Sequence, residues 1–336
     1  MASSNITRYD TSGGARIYSI TVPVFTTLDA NIYVVIADDY AALIDTGSGL
    51  GKSNEYLRAG MAALREDWNE SIDWADLDRI VITHAHIDHF GGLNEVRTLT
   101  NAPIAVHEFD RRVLINYEER LTLTSRALSS YLWRAGVDQQ RHAELMGLYG
   151  LSKGLFHSVE VATTLRHGDL LDGRFRIYHV PGHCPGQICL HIDDVLLSAD
   201  HILARTTPHL APESITASTG LDHYLHSLQQ IAAMPGIRLT LGGHEGPIDD
   251  LMARVEQIEA SHRRKLDRVL TACAEPRTIH ELSQIVYAHV QEYHTLLAIE
   301  EIGAHIEYLD QRGELAIANL EQVAQDERIA PRYRRI

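Results

Sequence analysis

Hydrophobic and polar positions along the chain change their period, and these changes outline the predicted elements. Short apolar runs separated by turn residues predict strands over residues 16–22, 31–37 and 40–45. Residues 52–68 have the spacing of an amphipathic helix, and Arg79–Ile82 is a short apolar run typical of a buried strand. Strands that come first and then alternate with helices predict a sheet covered by helices, so the expected fold class is α/β.

The second half of the chain repeats this alternation and then becomes helical. Further predicted strands cover residues 158–164, 174–180, 187–192, 195–198 and 238–241, with a helix over 222–234. Three predicted helices and a short strand follow, over residues 253–273, 278–290, 295–311 and 313–317. Three helices with a β wing are typical of a winged helix. The pattern therefore predicts a catalytic domain over residues 1–252 and a small α+β domain over 253–336.

Residues 108–158 interrupt the strand–helix rhythm with a mostly helical pattern that is rich in aromatic side chains. This pattern predicts a helical insertion between two parts of the sheet. The insertion has two interpretations, which stay open at this point. It is a cap that shapes a substrate pocket, with Tyr117 and Tyr131 as candidate pocket residues, or it is extra helical cover for the core.

Composition and charge exclude several classes of function. The 336 residues carry a formal net charge of −15, which argues against broad phosphate binding on nucleic acid and against docking on an anionic membrane. The sequence contains no uncharged apolar run of about 18 residues, so a membrane span is not expected. The polar first 16 residues do not resemble a signal peptide, and three cysteines without a pairing pattern favour a reducing cytoplasm. A small-molecule substrate is expected, and a homo-oligomer is left open.

The candidate chemistry lies directly after the predicted strand Arg79–Ile82. His84, His86, Asp88 and His89 follow within a few residues, before Gly91-Gly92 opens a predicted helix. Imidazole nitrogens and a carboxylate at one strand end are ligands that suit Zn²⁺, with Mn²⁺ or Fe²⁺ as alternatives. The spacing therefore predicts a metal site.

Three further ligand-type residues follow other predicted strands in the same manner. His183 and His244 lie in glycine-bounded loops, and Asp200 comes just after the run at 195–198. Each strand thus delivers one ligand at its end, which predicts that all three join the histidine loop.

Together these loops resemble the metallo-β-lactamase superfamily over roughly residues 16–250. The first motif of that superfamily is similar to Asp45-Thr46-Gly47, and residues 205–209 and the tail are similar to a subgroup with a winged-helix extension. The resemblance implies an αββα sandwich with a metal site along one edge.

The resemblance also implies a dinuclear site with assigned ligands. His84, His86 and His183 would hold the first metal; Asp88, His89 and His244 would hold the second; Asp200 would bridge both. Asp88 and Asp200 are the expected catalytic residues, and Asp45 would support a ligand by hydrogen bonding. His209 is a further candidate for the substrate pocket.

Particular residues narrow the reaction that the resemblance implies. At the position of His86, the oxygen-reducing di-iron relatives typically carry a glutamate. At the position of Asp200, true β-lactamases usually lack a bridging carboxylate. The short interval between Asp200 and His244 leaves no room for the domain inserted in RNA-cleaving and DNA-repair members. What remains is a hydrolase whose metal-bound hydroxide attacks an ester, thioester or lactone of a small molecule. The alternative is an endoribonuclease or phosphodiesterase. The acidic residues of the third C-terminal helix argue against nucleic acid, on the expectation that they face solvent.

Overall fold

The computed structural model describes residues 6–336 and contains a seven-stranded sheet whose strands follow one another in chain order. The first four strands pair antiparallel, and the pairs from the fourth to the seventh are parallel. The strands are β1 (Ile6–Asp10), β2 (Arg16–Phe25), β3 (Leu28–Ala37), β4 (Tyr40–Ile44), β5 (Arg79–Ile82), β6 (Ile104–His107) and β7 (Thr163–Leu165).

A second sheet of six strands is built from the later part of the chain. Its pairs are antiparallel except for one parallel pair, β11 with β12. The strands are β8 (Leu170–Leu171), β9 (Phe175–His179), β10 (Ile188–Ile192), β11 (Val195–Ala199), β12 (Leu239–Gly242) and β13 (Pro247–Ile248).

The two sheets pack face to face, and helices cover both outer faces. Side chains such as Val35 and Ile44 of the first sheet meet Phe175 and Leu197 of the second in one buried cluster. A second cluster lies between the first sheet and its helices, and a third lies between the second sheet and its helices. These helices are α1 (Ser53–Glu66), α2 (Ile87–Phe90), α3 (Leu93–Val96) and α7 (Leu221–Ala232), joined by α8 (Leu251–Ala272). The predicted α/β sandwich is confirmed.

The predicted insertion between β6 and β7 contains three helices, and its hydrophobic side packs on the C-terminal part of the chain. Leu128 and Leu132 of the insertion share a buried cluster with Leu282 and Ile302 from the last third of the sequence. The insertion helices are α4 (Glu108–Ile115), α5 (Tyr117–Arg134) and α6 (Gln139–Lys153). The remaining elements are α9 (Ile279–Val286), α10 (Tyr293–Gln311), β14 (Leu315–Ile317), α11 (Leu320–Gln325) and β15 (Tyr333–Arg335).

The C-terminal elements form the three predicted helices, α8, α9 and α10, an antiparallel pair, β14 with β15, and a further short helix, α11. α8 begins at Leu251, next to the predicted boundary at 252/253. Because their core is shared with the insertion, these helices are not packed as an isolated unit. The division into two domains stays a prediction.

Two expectations from the sequence are wrong in detail. The strand predicted over residues 158–164 is shorter, because only Thr163–Leu165 pairs with β6, while Val159 and Val161 pack against the core outside any strand. An exposed acidic face was also expected on α10. Glu300 and Glu301 are instead buried, with only 8% and 5% of their surface exposed. Within residues 6–336, no helix is long and apolar enough to cross a membrane.

Candidate metal site

The histidine loop leaves the first sheet at the end of β5. The apolar residues of β5 are buried, and the chain then turns through Thr83 into α2, whose N-cap is His86. Asp88 and His89 lie in the short α2 and are buried. A strand end followed at once by a helix therefore holds all four predicted ligands of this loop near one point.

The other three predicted ligands come from the ends of strands in the second sheet. His183 lies between β9 and β10, Asp200 directly follows β11, and His244 follows β12. Gly243 permits this approach, because a Cβ atom there would collide with Oδ1 of Asp200 and lie 2.8 Å from the ring of His89. The site thus lies where both sheets meet.

The structure brings the seven predicted ligands into two neighbouring groups. His84, His86 and His183 form one group, and Asp88, His89, Asp200 and His244 form the other, each with ligand atoms within 4.8 Å of one another.

Asp200 lies between the two groups. Its Oδ2 is 3.6 Å from Nε2 of His183 and 3.3 Å from Nε2 of His244, while its Oδ1 is 3.3 Å from Nε2 of His89. One carboxylate therefore reaches histidines of both groups, which is the geometry expected of a bridging ligand.

Asp45 orients the histidine loop through hydrogen bonds to His89 and Thr83. It directly follows β4 with a positive φ of 64°, and its Oδ2 lies 2.8 Å from Nδ1 of His89. Its two oxygens also accept hydrogen bonds from the amide and hydroxyl of Thr83, both at 2.8 Å. That hydroxyl lies 3.1 Å from Nδ1 of His84. Asp45 thus fixes one histidine directly and a second through Thr83, as its supporting role predicts.

Backbone carbonyl groups orient two further histidines. Nδ1 of His183 lies 2.6 Å from the carbonyl oxygen of His209, and Nδ1 of His244 lies 2.6 Å from that of Asp29. Since a carbonyl only accepts, each Nδ1 carries a proton, and Nε2 is the atom that faces the cluster.

The donor atoms fit divalent metal ions. Nε2 of His89, Nε2 of His183 and Oδ1 of Asp200 are buried without a hydrogen-bond partner among the described residues. Buried polar atoms normally have partners, and aligned imidazole and carboxylate donors without one are suited to a borderline metal such as zinc.

Burial lowers the pKa values of the clustered histidines, whereas neighbouring carboxylates raise them. Burial and the neighbouring His89 lower the pKa of His84 well below its usual range. Burial acts to lower the pKa of His244 too, but Asp200 and Asp88 outweigh it and raise that pKa to about 10. The same carboxylates, with Asp45, raise the pKa of His89 against the effect of burial. The cluster therefore pairs neutral imidazoles on one side with charge-balanced ones on the other.

Comparison with known proteins agrees with this geometry. A sequence model of the metallo-beta-lactamase superfamily matches residues 25–269 of the chain, well over half of its length. The chain belongs to the metallo-beta-lactamase superfamily. The family and the His/Asp cluster together support a metal-dependent hydrolase and indicate divalent metal ions.

Relatives within the superfamily extend over most of the chain. The probable metallo-hydrolase YqjP of Bacillus subtilis is 24% identical over 307 residues, 88% of this chain and 92% of that protein. Acyl-coenzyme A thioesterase MBLAC2 of Homo sapiens is 30% identical over 183 residues, 51% of this chain and 57% of that enzyme. A beta-lactamase domain protein from Burkholderia ambifaria has the same fold, with a TM-score of 0.75 at 22% identity, covering 98% of this chain and 93% of that chain.

The three predicted pocket residues lie in different surroundings. His209 lies beside the candidate ligands, because its carbonyl oxygen contacts Nδ1 of His183. Tyr117 packs against Phe90 of the histidine loop, with ring centroids 5.7 Å apart. Tyr131 is not brought to the cluster: it is 3% exposed in the packing between α5 and α10, and its hydroxyl donates to the carbonyl of Ile299 at 3.2 Å.

Asp110 is a supporting residue that the sequence pattern did not reveal. This fully buried carboxylate on α4 accepts hydrogen bonds from the amides of Ala85 at 2.7 Å and Gly186 at 2.8 Å. The thiol of Cys184 is 3.2 Å from it. Burial raises the pKa of Asp110 to about 6, although these three donors act to lower it. Asp110 thus ties the loop of His84 and His86 to the loop of His183.

Lys153 is a second residue that the pattern did not reveal. It ends α6, its carbonyl accepts a hydrogen bond from the hydroxyl of Tyr117 at 2.8 Å, and its amine lies 5.9 Å from the centre of the Tyr149 ring. After burial and His183, its positive charge contributes to the low pKa of His86. Burial lowers the pKa of Lys153 itself, whereas Asp88 acts to raise it. The insertion therefore brings a cation into the electrostatic range of the candidate metal ligands.

Proposed function

We propose that this chain is a hydrolase with two divalent metal ions, zinc first, that cleaves an ester, thioester or lactone of a small molecule. The observation that carries the proposal is the position of Asp200, whose oxygens approach histidines of both ligand groups. Two such ions, when bound, would polarise the acyl carbonyl and lower the pKa of a water molecule.

The protein's own residues would supply proton transfer and orientation. Oδ2 of Asp88 lies 3.4 Å from Nε2 of His244 at the edge of the cluster. A carboxylate there is suited to accept a proton from the attacking water and to return it to the leaving group. Asp45 and Asp110 would hold the loops that carry the histidines, so that the ligand geometry changes little during turnover.

An acyl substrate with a charged leaving group fits the surroundings of the cluster. One relative, the human acyl-coenzyme A thioesterase MBLAC2, matches about half of this chain. The end of α6 offers the ammonium group of Lys153, which lies within electrostatic range of His86 and Asp88. An anionic thiol or alcohol half of the substrate would therefore find a complementary charge near the candidate ligands.

Replacing Lys153 with methionine should weaken the binding of anionic substrates selectively. We expect KM for a thioester with an anionic thiol half to rise about tenfold, since one partly buried charge interaction of about 1.4 kcal/mol is lost. KM for an uncharged thioester of the same acyl group should change little. The measurement is a comparison of kcat and KM for the two substrates.

The control for this variant is Lys52→Met, which removes an exposed lysine at the start of α1. It should leave both KM values unchanged. An equal rise in KM for charged and uncharged substrates in Lys153→Met would contradict charge recognition and would point to a packing role.

The proposed function as a whole is tested by an activity panel measured together with metal content. Thioesters, lactones, β-lactams, phosphodiesters and single-stranded RNA are offered to the purified metal-loaded protein. We expect about two metal ions per chain and turnover of thioesters or lactones. Metal-free preparations that turn over the substrate, or cleavage of RNA alone that depends on His86, would overturn the proposal. The latter result would favour the phosphodiesterase alternative.

A further inference from the structure

The segment from Leu203 to Leu210 runs between the candidate metal site and the C-terminal helices. On one side, the carbonyl of His209 accepts the hydrogen bond from Nδ1 of His183 at 2.6 Å. This bond fixes the rotation of the His183 ring and sets which nitrogen faces the metal. The position of the His209 carbonyl therefore decides where the Nε2 atom of His183 points.

Two neighbouring carboxylates on α10 contact the same segment from the other side. Oε2 of Glu300 lies 3.2 Å from Nε2 of His209, and Oε2 of Glu301 accepts a hydrogen bond from the amide of Leu210 at 2.8 Å. Both carboxylates are buried, and burying a carboxylate is costly unless it has partners. Their partners in the segment, His209 and Leu210, are consecutive residues.

α8 holds the same segment at its earlier residues. Arg254 donates to the carbonyl groups of Leu203 and Thr206, both at 2.6 Å. Lys265 donates to the hydroxyl of Thr207 at 3.2 Å and to Oε1 of Glu301 at 2.8 Å. The segment is thus held at successive points by two helices of the C-terminal part.

A group of His262, Glu301 and His305 beside these contacts has metal-type donors, but all of their side-chain donors and acceptors except Nε2 of His262 already have partners among the described residues. Lys265 balances the charge of Glu301, and Nδ1 of His305 lies 2.6 Å from the carbonyl oxygen of Glu301. The remaining nitrogen of His305 lies 3.2 Å from Nδ1 of His262. A divalent ion added here would place further positive charge beside a buried ammonium group, so we assign this group to packing.

We propose that Glu300 and Glu301 are positioning residues for His183, Glu300 acting through the side chain of His209 and Glu301 through the amide of Leu210. The C-terminal helices would then be part of the metal site's support and not a separate binding module. The inference rests on the candidate metal site of the proposed function, but not on which bond the protein cleaves.

The test is the metal affinity of Glu300→Ala, measured by competition with a chromophoric chelator. Partners of ligands typically contribute 10–100-fold to metal affinity, and Glu300 acts one residue further out, so we expect a loss of about tenfold for one of the two ions. The absorption spectrum of the Co²⁺-loaded protein should change as well. Glu300→Gln keeps an oxygen that can accept from His209, and it should recover most of the affinity.

The matched control is Glu307→Ala on the same helix. Glu307 also accepts backbone hydrogen bonds, from the amides of Glu213 at 2.8 Å and Ser214 at 3.3 Å, but neither amide belongs to a residue that is hydrogen-bonded to a candidate ligand. Both alanine variants should lower the thermal midpoint of the metal-free protein, and only Glu300→Ala should lower metal affinity. If Glu300→Ala does not fold, His209→Ala removes the other side of the contact and should show the same loss.

Wild-type affinity and an unchanged Co²⁺ spectrum in Glu300→Ala or His209→Ala would overturn the inference. An equal loss of affinity in Glu307→Ala would also overturn it, since the effect would then be general destabilisation. A wild-type protein that binds no metal would instead overturn the proposed function, so the two failures are distinguishable.

Discussion

Replacing Asp200 with asparagine should reduce turnover by about a thousandfold or more and lower the metal content of the purified protein. Asp200 lies within 3.3–3.6 Å of histidines from both ligand groups. The amide keeps the size of the side chain but loses the negative charge that would offset two divalent ions. A loss of several kcal/mol of charge stabilisation corresponds to a rate factor of about that size. The measurements are kcat/KM and metal analysis on the same sample.

The Asp200→Asn protein should stay folded, since His89 and His244 can lose their protons when the carboxylate that raises their pKa values is removed. Circular dichroism and the thermal midpoint of the metal-free variant check this point. Asp249→Asn, at an exposed position after β13, is the control and should resemble wild type. Full turnover by Asp200→Asn at normal metal content would refute the bridging assignment.

Removing the metal with a chelator should abolish activity and lower the thermal midpoint on the order of 10 °C. The candidate ligands come from strand ends of both sheets, so bound ions would link the two halves of the sandwich. Free metal at about 1,000 times its Kd stabilises the native state by about 4 kcal/mol. In a chain of this size, each kcal/mol shifts the midpoint by roughly 2–4 °C.

Adding back Zn²⁺ should restore both activity and the thermal midpoint, whereas Mg²⁺ serves as the control for a non-specific salt effect. Mg²⁺ prefers oxygen ligands and is a poor match for a cluster dominated by imidazoles. A midpoint that is the same with and without metal would contradict a site shared between the sheets. Scanning calorimetry of the chelated and reloaded protein gives this comparison directly.

The sequence pattern predicted a sheet covered by helices and the candidate ligands at its strand ends, and the family resemblance added the αββα sandwich. The four ligands around His86 are close in sequence, and His183, Asp200 and His244 each follow an apolar run that folds as a strand. β9, β11 and β12 run in the same direction, since β9 and β11 are each antiparallel to β10 and β12 is parallel to β11. The loops that carry His183, Asp200 and His244 therefore leave the second sheet at the same edge. The metal, the ligand roles and the dinuclear state remain predictions.

The supporting residues could not be predicted because their contacts join distant parts of the chain. Asp110 sits in an ordinary amphipathic helix, and only the fold brings it to Ala85 and Gly186. Glu300 and Glu301 were expected on an exposed face, because acidic side chains are rarely buried. In the structure they point toward the segment at His209 and Leu210. That correction also removes the argument that α10 repels nucleic acid, and the expectation of no nucleic-acid partner stays untested.

The raised pKa values of His89 and His244 determine the charge state of the metal-free cluster. At neutral pH these two imidazoles carry protons that balance the charges of Asp88 and Asp200. A metal ion binds the neutral ring, so an ion that enters the group of His89 and His244 must displace both protons. Loading that group exchanges two protons for one divalent ion and leaves its buried charge unchanged, whereas an ion bound by the neutral His84, His86 and His183 displaces no such proton. Acid therefore competes with metal for the same positions, and affinity is expected to rise with pH until both rings are deprotonated.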